Sequence, residues 1–152
     1  MTGPVFVDTN ILVYDRDERD PVKHTRAHAW MTTLWRHPGL GVVSSQVLTE
    51  FYWTVTRKLR PGLDDDLARR YVRTLFAWDF VAVDEAAIGE AWTVQDRFGL
   101  SFWDSLVVAA ARIRRCRVLL TEDLQDGQDL DGILVVNPFT HHPDALSTPS
   151  GH

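Results

Sequence analysis

Val5-Phe6-Val7-Asp8-Thr9-Asn10-Ile11-Leu12-Val13-Tyr14 is the stretch from which the rest of the chain is read. Val5, Phe6 and Val7 form a short apolar run with two β-branched members, the composition of a fully buried strand. Asp8, Thr9 and Asn10 interrupt it, and Ile11 to Tyr14 resume the apolar pattern. A carboxylate between two buried segments ends a central strand and points beyond it. In open α/β sheets, ligands bind just outside the carboxyl ends of the strands. Asp and Asn also cap plain turns, so Asp8 alone does not establish chemistry.

The composition limits what else the chain can be. Its 152 residues suit one domain with a real core. Hydrophobic residues at 45% and charged residues at 24% match an ordinary soluble globular domain. Cys116 is the single cysteine, which excludes an intramolecular disulfide and a cysteine metal cluster. That usage fits a reducing, cytoplasmic setting. No apolar run reaches the roughly 18 residues of a membrane span. The first eight residues lack a basic region and a long apolar region, so no signal peptide is expected. The net charge is −5, whereas a protein that only coats nucleic acid is basic. Contact with nucleic acid would need a metal or a local basic patch.

Helices and strands alternate outward from residues 5–14. Asp20-Pro21 starts a helix carrying Ala27, Trp30, Met31, Leu34 and Trp35, which stops at His37-Pro38-Gly39. His24 and His28 lie four apart on it with no evident third ligand, which argues against zinc. Leu40–Val43 is a strand, and Ser44 or Ser45 caps a helix with Val47, Leu48, Phe51, Tyr52, Val55 and Leu59 on one face. Glu50 sits beside that face among large apolar neighbours. After Arg60-Pro61-Gly62, the acids Asp64 to Asp66 favour a helix N-terminus, and Leu67, Tyr71, Val72, Leu75 and Phe76 form its stripe. Phe80–Val83 is a strand, and Asp84 to Gly99 bound a helix. Ser101 and Asp104 resemble a capping box. Arg117–Leu120 is a strand running into Thr121-Glu122-Asp123, Leu124–Gly132 an acidic flexible loop, and Ile133–Val136 the last strand. This alternation predicts a three-layer α/β/α domain with a central, mostly parallel sheet. The domain spans residues 1–139. Residues 140–152, rich in Pro, Ser, Thr and His, are expected to be a disordered tail.

Four carboxylates share one description. Asp8 and Asp123 end strands, while Glu50 and Asp104 lie early in helices. In a parallel α/β fold those positions share one edge of the sheet. Converging carboxylates repel unless a cation is present. Mg²⁺ or Mn²⁺ is the natural answer, since hard ions take oxygen ligands, and such a site can cleave phosphodiesters. Asp104→Asn is accordingly expected to relieve repulsion in the absence of metal.

In these same stretches the chain resembles the PIN-domain ribonucleases, specifically the VapC-type toxins. The residues that carry the resemblance are VDTNILVY around Asp8, SSQVLTEF around Glu50, FWDSLVVAAA around Asp104, LLTEDLQDG around Asp123, and VVNPF near the end. They occur in the family's order over nearly the whole chain. The resemblance implies a PIN-like fold and a Mg²⁺- or Mn²⁺-dependent endoribonuclease that cuts structured or single-stranded RNA, usually a homodimer, blocked by a cognate antitoxin. It implies Asp8, Glu50, Asp104 and Asp123 as the acidic quartet, with Asp8 and Asp104 on the metal. Asn10 and Thr121 would support them, with Asp126 as an extra acid; only one of Glu122 and Asp123 can face the metal. An inhibitor of so acidic a site should present an Arg. Arg69, Arg70 and Arg73, with Arg112 and Arg115, are expected to guide RNA. Three other readings are open: a receiver-like domain, disfavoured because the lysines are only Lys23 and Lys58; a catalytically idle PIN-like binding module; and a DNA nuclease, whose usual long insertions do not fit in this length.

Overall fold

The computed structural model describes residues 3–147. The elements run β1 (Val5–Val7), α1 (Thr9–Arg16), α2 (Pro21–Trp35), β2 (Gly41–Ser44), α3 (Ser45–Trp53), a π-helical turn (Thr54–Lys58), α4 (Asp65–Leu75), β3 (Asp79–Val81), α5 (Glu85–Phe98), α6 (Phe102–Ile113), β4 (Val118–Leu120), β5 (Asp129–Leu130), β6 (Ile133–Val136) and α7 (Asp144–Ser147). The six-stranded sheet has the order β3-β2-β1-β4-β6-β5. Every pairing is parallel except β5 with β6. With helices on its faces, this is the expected three-layer α/β/α arrangement.

β1 lies inside the sheet, paired with β2 on one side and β4 on the other. Val5, Phe6 and Val7 are completely buried, so its continuous apolar run is what a doubly covered strand requires. Strand ends and helix starts are joined by caps. Asp8 accepts from the Thr9 N–H, Ser44 from Val47 and Asp84 from Ala87, at or within three residues of a strand's end. An N-cap of this kind is worth about 1 kcal/mol. The caps also fix how the chain turns at the carboxyl edge of the sheet, where the site forms. At the other end of α5, Gly99 takes the left-handed conformation, φ +68°, that closes the helix.

Three expectations are corrected. The loop 124–132 contains β5, which pairs antiparallel with β6. Leu67 and Phe76 do not join the core stripe of α4, being 47% and 55% exposed. Residues 140–147, read as tail, fold back onto the domain: the Trp30 indole N–H donates to the carbonyls of Pro138 (3.1 Å) and His141 (2.8 Å), and Leu146 packs against the core. The rest of the expected tail, 148–152, lies outside the described residues. Among the described residues, no helix is long and apolar enough to cross a membrane. His24 and His28 bond the Tyr14 carbonyl and the Asp15 carboxylate, the structural roles expected of them.

Candidate active site

Asp8 leaves the end of β1 with only 6% exposure. Its Oδ1 accepts from the Thr9 N–H at 2.7 Å, and its Oδ2 accepts from the Thr121 hydroxyl at 2.7 Å. Burial pushes its carboxyl up to about 7. The bonds from Thr121 and Thr9 oppose that rise, and the charges of Asp123 and Glu50 add to it. The Thr121 hydroxyl also accepts from the Asp123 N–H at 3.0 Å. One side chain at the end of β4 therefore positions both strand-end acids.

Glu50 is held by two side chains. Its Oε2 accepts from the Thr9 hydroxyl at 3.0 Å and its Oε1 from Gln46 Nε2 at 3.1 Å. Partial burial raises the Asp123 carboxyl, and the charges of Asp104, Glu122 and Glu50 raise it further, against the pull of Lys23. Asp8, Glu50 and Asp123 line one cleft of roughly 350 Å³ with Thr9 and Asn10. Asp104 is outside that lining and acts on it through its charge on Asp123. Its N–H meets the Ser101 hydroxyl at 3.1 Å, as expected of a cap.

The neighbouring acid Glu122 is already compensated. Its Oε2 accepts from Lys23 Nζ at 2.9 Å, and its Oε1 from Asn10 Nδ2 at 3.4 Å. The Lys23 ammonium also lies 4.9 Å from the Tyr14 ring and 5.1 Å from that of Phe139. Among the described residues Glu122 takes the ion pair with Lys23, while Asp123 feels the Lys23 charge only at longer range. Sequence spacing carried no signal for Lys23, because 99 residues separate it from Glu122. Asn10 Oδ1 is buried and has no hydrogen-bond partner. Among the described residues no three His, Cys, Asp or Glu side chains form a ready metal cluster. Every donor of the site is an oxygen, and two of its carboxyls are raised by their surroundings.

Three residues expected at the site are elsewhere. Asp126 accepts from the Asn137 N–H at 2.8 Å and pairs with His141 Nε2 at 2.8 Å, tying its loop to the end of β6. Arg112 and Arg115 sit at the C-terminal end of α6, in a cleft with Arg117 and Gly132, where β4 and β6 begin. That is the opposite edge of the sheet: eight helical residues from Asp104 to Arg112 span about 12 Å. Arg112 is also paired with Glu90 at 2.7 Å. Arg69 and Arg73 line a groove with Tyr52, Trp53 and Phe80, and Arg69 Nε donates to the Tyr52 hydroxyl at 3.1 Å. Arg70 has no ion pair among the described residues.

The position of Thr121 yields a first prediction. Thr121→Val removes the hydroxyl between Asp8 and Asp123 and leaves an ionised carboxylate short of a donor. At pH 8 the loss should be about 1.5–3 kcal/mol, the range for a hydrogen bond to a charged group. Urea denaturation measures it. Wild-type stability at that pH would show that the bond contributes nothing.

Comparison with known proteins places this geometry in context. The family model described as PIN domain matches residues 5–125. No curated protein sequence matches the chain. Among solved structures, a toxin–antitoxin complex from Klebsiella pneumoniae is 18% identical, with TM-score 0.61, covering 88% of this chain and 97% of its own. The Mycobacterium tuberculosis toxin VapC20, titled a sarcin–ricin loop cleaving toxin, is 23% identical, with TM-score 0.60, covering 78% and 91%. VapBC2 from Rickettsia felis, solved with a promoter DNA fragment, is 17% identical, with TM-score 0.57, covering 86% and 96%. At these identities the likeness is one of fold.

Proposed function

Because the chain belongs to the PIN domain family, we propose that it is a metal-dependent endoribonuclease of VapC type, the toxin of a type II toxin–antitoxin pair in the cytoplasm. The observation that carries this reading is the cleft that Asp8, Glu50 and Asp123 line together at the carboxyl edge of the sheet, with the charge of Asp104 acting on Asp123. The likeness to toxin structures, one of them a sarcin–ricin loop cleaving toxin, supports it.

The donor set fits Mg²⁺ or Mn²⁺. It is made of oxygens, is short of positive charge, and includes the unpartnered Asn10 Oδ1. Asp8 and Asp123, tied by Thr121, are better placed to hold the ion than the expected pair of Asp8 and Asp104. Glu50 and Asp104 complete the acidic surroundings. When bound, such an ion supplies an activated water and charge neutralisation at the phosphate. The chain's own residues supply orientation. Thr121 fixes the Asp8 carboxylate, Thr9 and Gln46 aim Glu50, and Lys23 with Asn10 keeps Glu122 from competing. Glu50, open to solvent, is placed to accept a proton from attacking water.

The same acids define the partner. An antitoxin that closes the site without metal would insert an Arg, whose planar fork pairs with carboxylates in a bidentate way. A homodimer is the expected assembly. The second reading, an idle PIN-like module that binds RNA or protein without cutting, is separated by one assay. Purified protein should cut RNA in Mn²⁺ or Mg²⁺ and stop in EDTA. Intact RNA in both metals, alongside measurable RNA binding, would favour the idle module.

A further inference from the structure

We propose that Lys23 is a built-in second cation of the acidic cleft, so that the site holds one divalent ion per chain rather than a pair. This rests on the metal-dependent reading above and deepens it. Sites that cleave phosphodiesters with two ions set them about 3.5–4 Å apart. The adjacent acids for such a pair are present, since Glu122 and Asp123 line the cleft together with Asp8 and Glu50. A side chain of α2 already stands at one of them.

The Lys23 ammonium is held in place by its surroundings. Asp20 caps α2 and accepts from the Lys23 N–H at 3.2 Å, which sets the backbone. Nζ donates to Glu122 Oε2 at 2.9 Å. It also lies 4.9 Å from the Tyr14 ring and 5.1 Å from the Phe139 ring. Those rings meet edge to face, with centroids 5.3 Å apart, and form one wall. Their attraction for a cation adds to the ion pair. The Lys23 and Glu122 side chains are only 32% and 25% exposed, so the pair is less screened than one on the open surface. The hydrogen bond to Glu122 holds the ammonium above the usual lysine value, and it stays charged at neutral pH.

Both oxygens of Glu122 are engaged, because Oε1 accepts from Asn10 Nδ2 at 3.4 Å. A ligated ion sits about 2.0–2.6 Å from its oxygen, where it would crowd these donors and repel the ammonium. Asp17, which also lines the cleft, is closed in the same manner. Arg19 grips its two oxygens at 2.9 and 3.2 Å and donates to the Arg60 carbonyl at 2.8 Å. Asp8 and Asp123, tied through Thr121, remain for an ion, with Glu50 beside them. Lys23 is therefore a positioning residue. It acts through Glu122 and sets how many ions the acids hold. A strut that merely joined α2 to the end of β4 would leave that number unchanged when removed.

The test counts bound Mn²⁺ on RNA-free protein by electron paramagnetic resonance, which reads the free ion. Wild type should bind one ion per chain. Lys23→Met keeps the stem, removes the charge and frees Glu122 beside Asp123, so it should bind two. Adding Glu122→Gln to Lys23→Met should return the count to one. Lys23→Arg, which keeps a cation at the two rings, should stay at one. Two ions on wild type overturn the inference, whatever the stability of the variants. So does a single ion on folded Lys23→Met, or two on the double variant. RNA cleavage in Mn²⁺, run alongside, separates the claims. Wild type that cuts RNA with two ions bound sinks the inference and leaves the nuclease reading standing. Wild type that binds no ion and cuts nothing overturns the metal-dependent reading, and this inference with it.

Discussion

Asp8→Asn is expected to abolish RNA cleavage and at the same time to stabilise the metal-free protein. The first effect follows from the proposed function, in which Asp8 holds the ion: a neutral amide keeps an oxygen but loses the carboxylate's charge. Removing one preorganised charge-stabilising group commonly lowers turnover by about 10²–10³-fold, and a loss at least that large is expected here. The second effect follows from burial. The Asp8 carboxyl ionises near 3.9 in an unfolded chain and near 7 in the folded one. The folded state therefore holds that proton more tightly. The stability this gives is fully present below about pH 4 and is lost as pH rises through 7. The full loss is on the order of 4 kcal/mol. In EDTA the wild type should melt progressively lower from pH 5 to pH 8, and Asp8→Asn should lack most of that slope. Asn can still accept from the Thr9 N–H, so the cap survives. Thermal melts across that pH range, with cleavage assays in Mn²⁺, check both arms. Wild-type cleavage by the variant, or a parallel pH slope, would remove Asp8 from the centre of the site.

Trp30→Ala carries the largest expected structural effect. Trp30 is completely buried, and truncating such a residue costs about 3–5 kcal/mol. Its indole N–H also serves the Pro138 and His141 carbonyls. The variant should loosen the segment after β6 as well as the core. Trp30→Phe separates these effects, since it keeps a ring and loses the donor, at about 1–3 kcal/mol for the carbonyls left unpaired. Urea denaturation reads the total, and hydrogen exchange at amides 139–146 reads the segment. If those amides kept wild-type protection in both variants, the indole would not be the tether.

What the sequence made legible was local. β1 and Asp8 could be read because an uninterrupted apolar run followed by an acid means a buried strand and its end. Glu50, Asp104 and Asp123 could be placed because strand ends and following helix starts share an edge in a parallel sheet. The ties between distant residues could not be read: Thr121 to Asp8 spans 113 positions, and Lys23 to Glu122 spans 99. Arg112 and Arg115, expected to guide RNA, lie at the far end of α6 from Asp104, a separation set by the rise of the helix. The largest upward shift in the site falls on Asp8, the buried member of the four, and burial comes before its neighbours' charges as the cause; the charge of Asp104 is felt at Asp123. β5 had a signal that went unused. Asp131-Gly132, between Leu130 and Ile133, is a strong hairpin dipeptide, and both residues take positive φ, 53° and 103°.

The two ends of the sheet bear on how this protein can associate. One edge is β3, three residues long, where Arg114 binds the Asp79 carboxylate at 2.8 Å and the Phe80 carbonyl at 2.9 Å. The other is β5, only two residues long, running against the rest. Short, obstructed edges give an incoming strand almost no backbone to pair with. Recruitment by adding a strand, a common way of capturing an extended peptide, is closed to this domain at both margins. The same property denies fibrils a template. Any partner, a second copy included, must therefore recognise side chains on helices and loops, and substitutions there can retune recognition without touching the sheet.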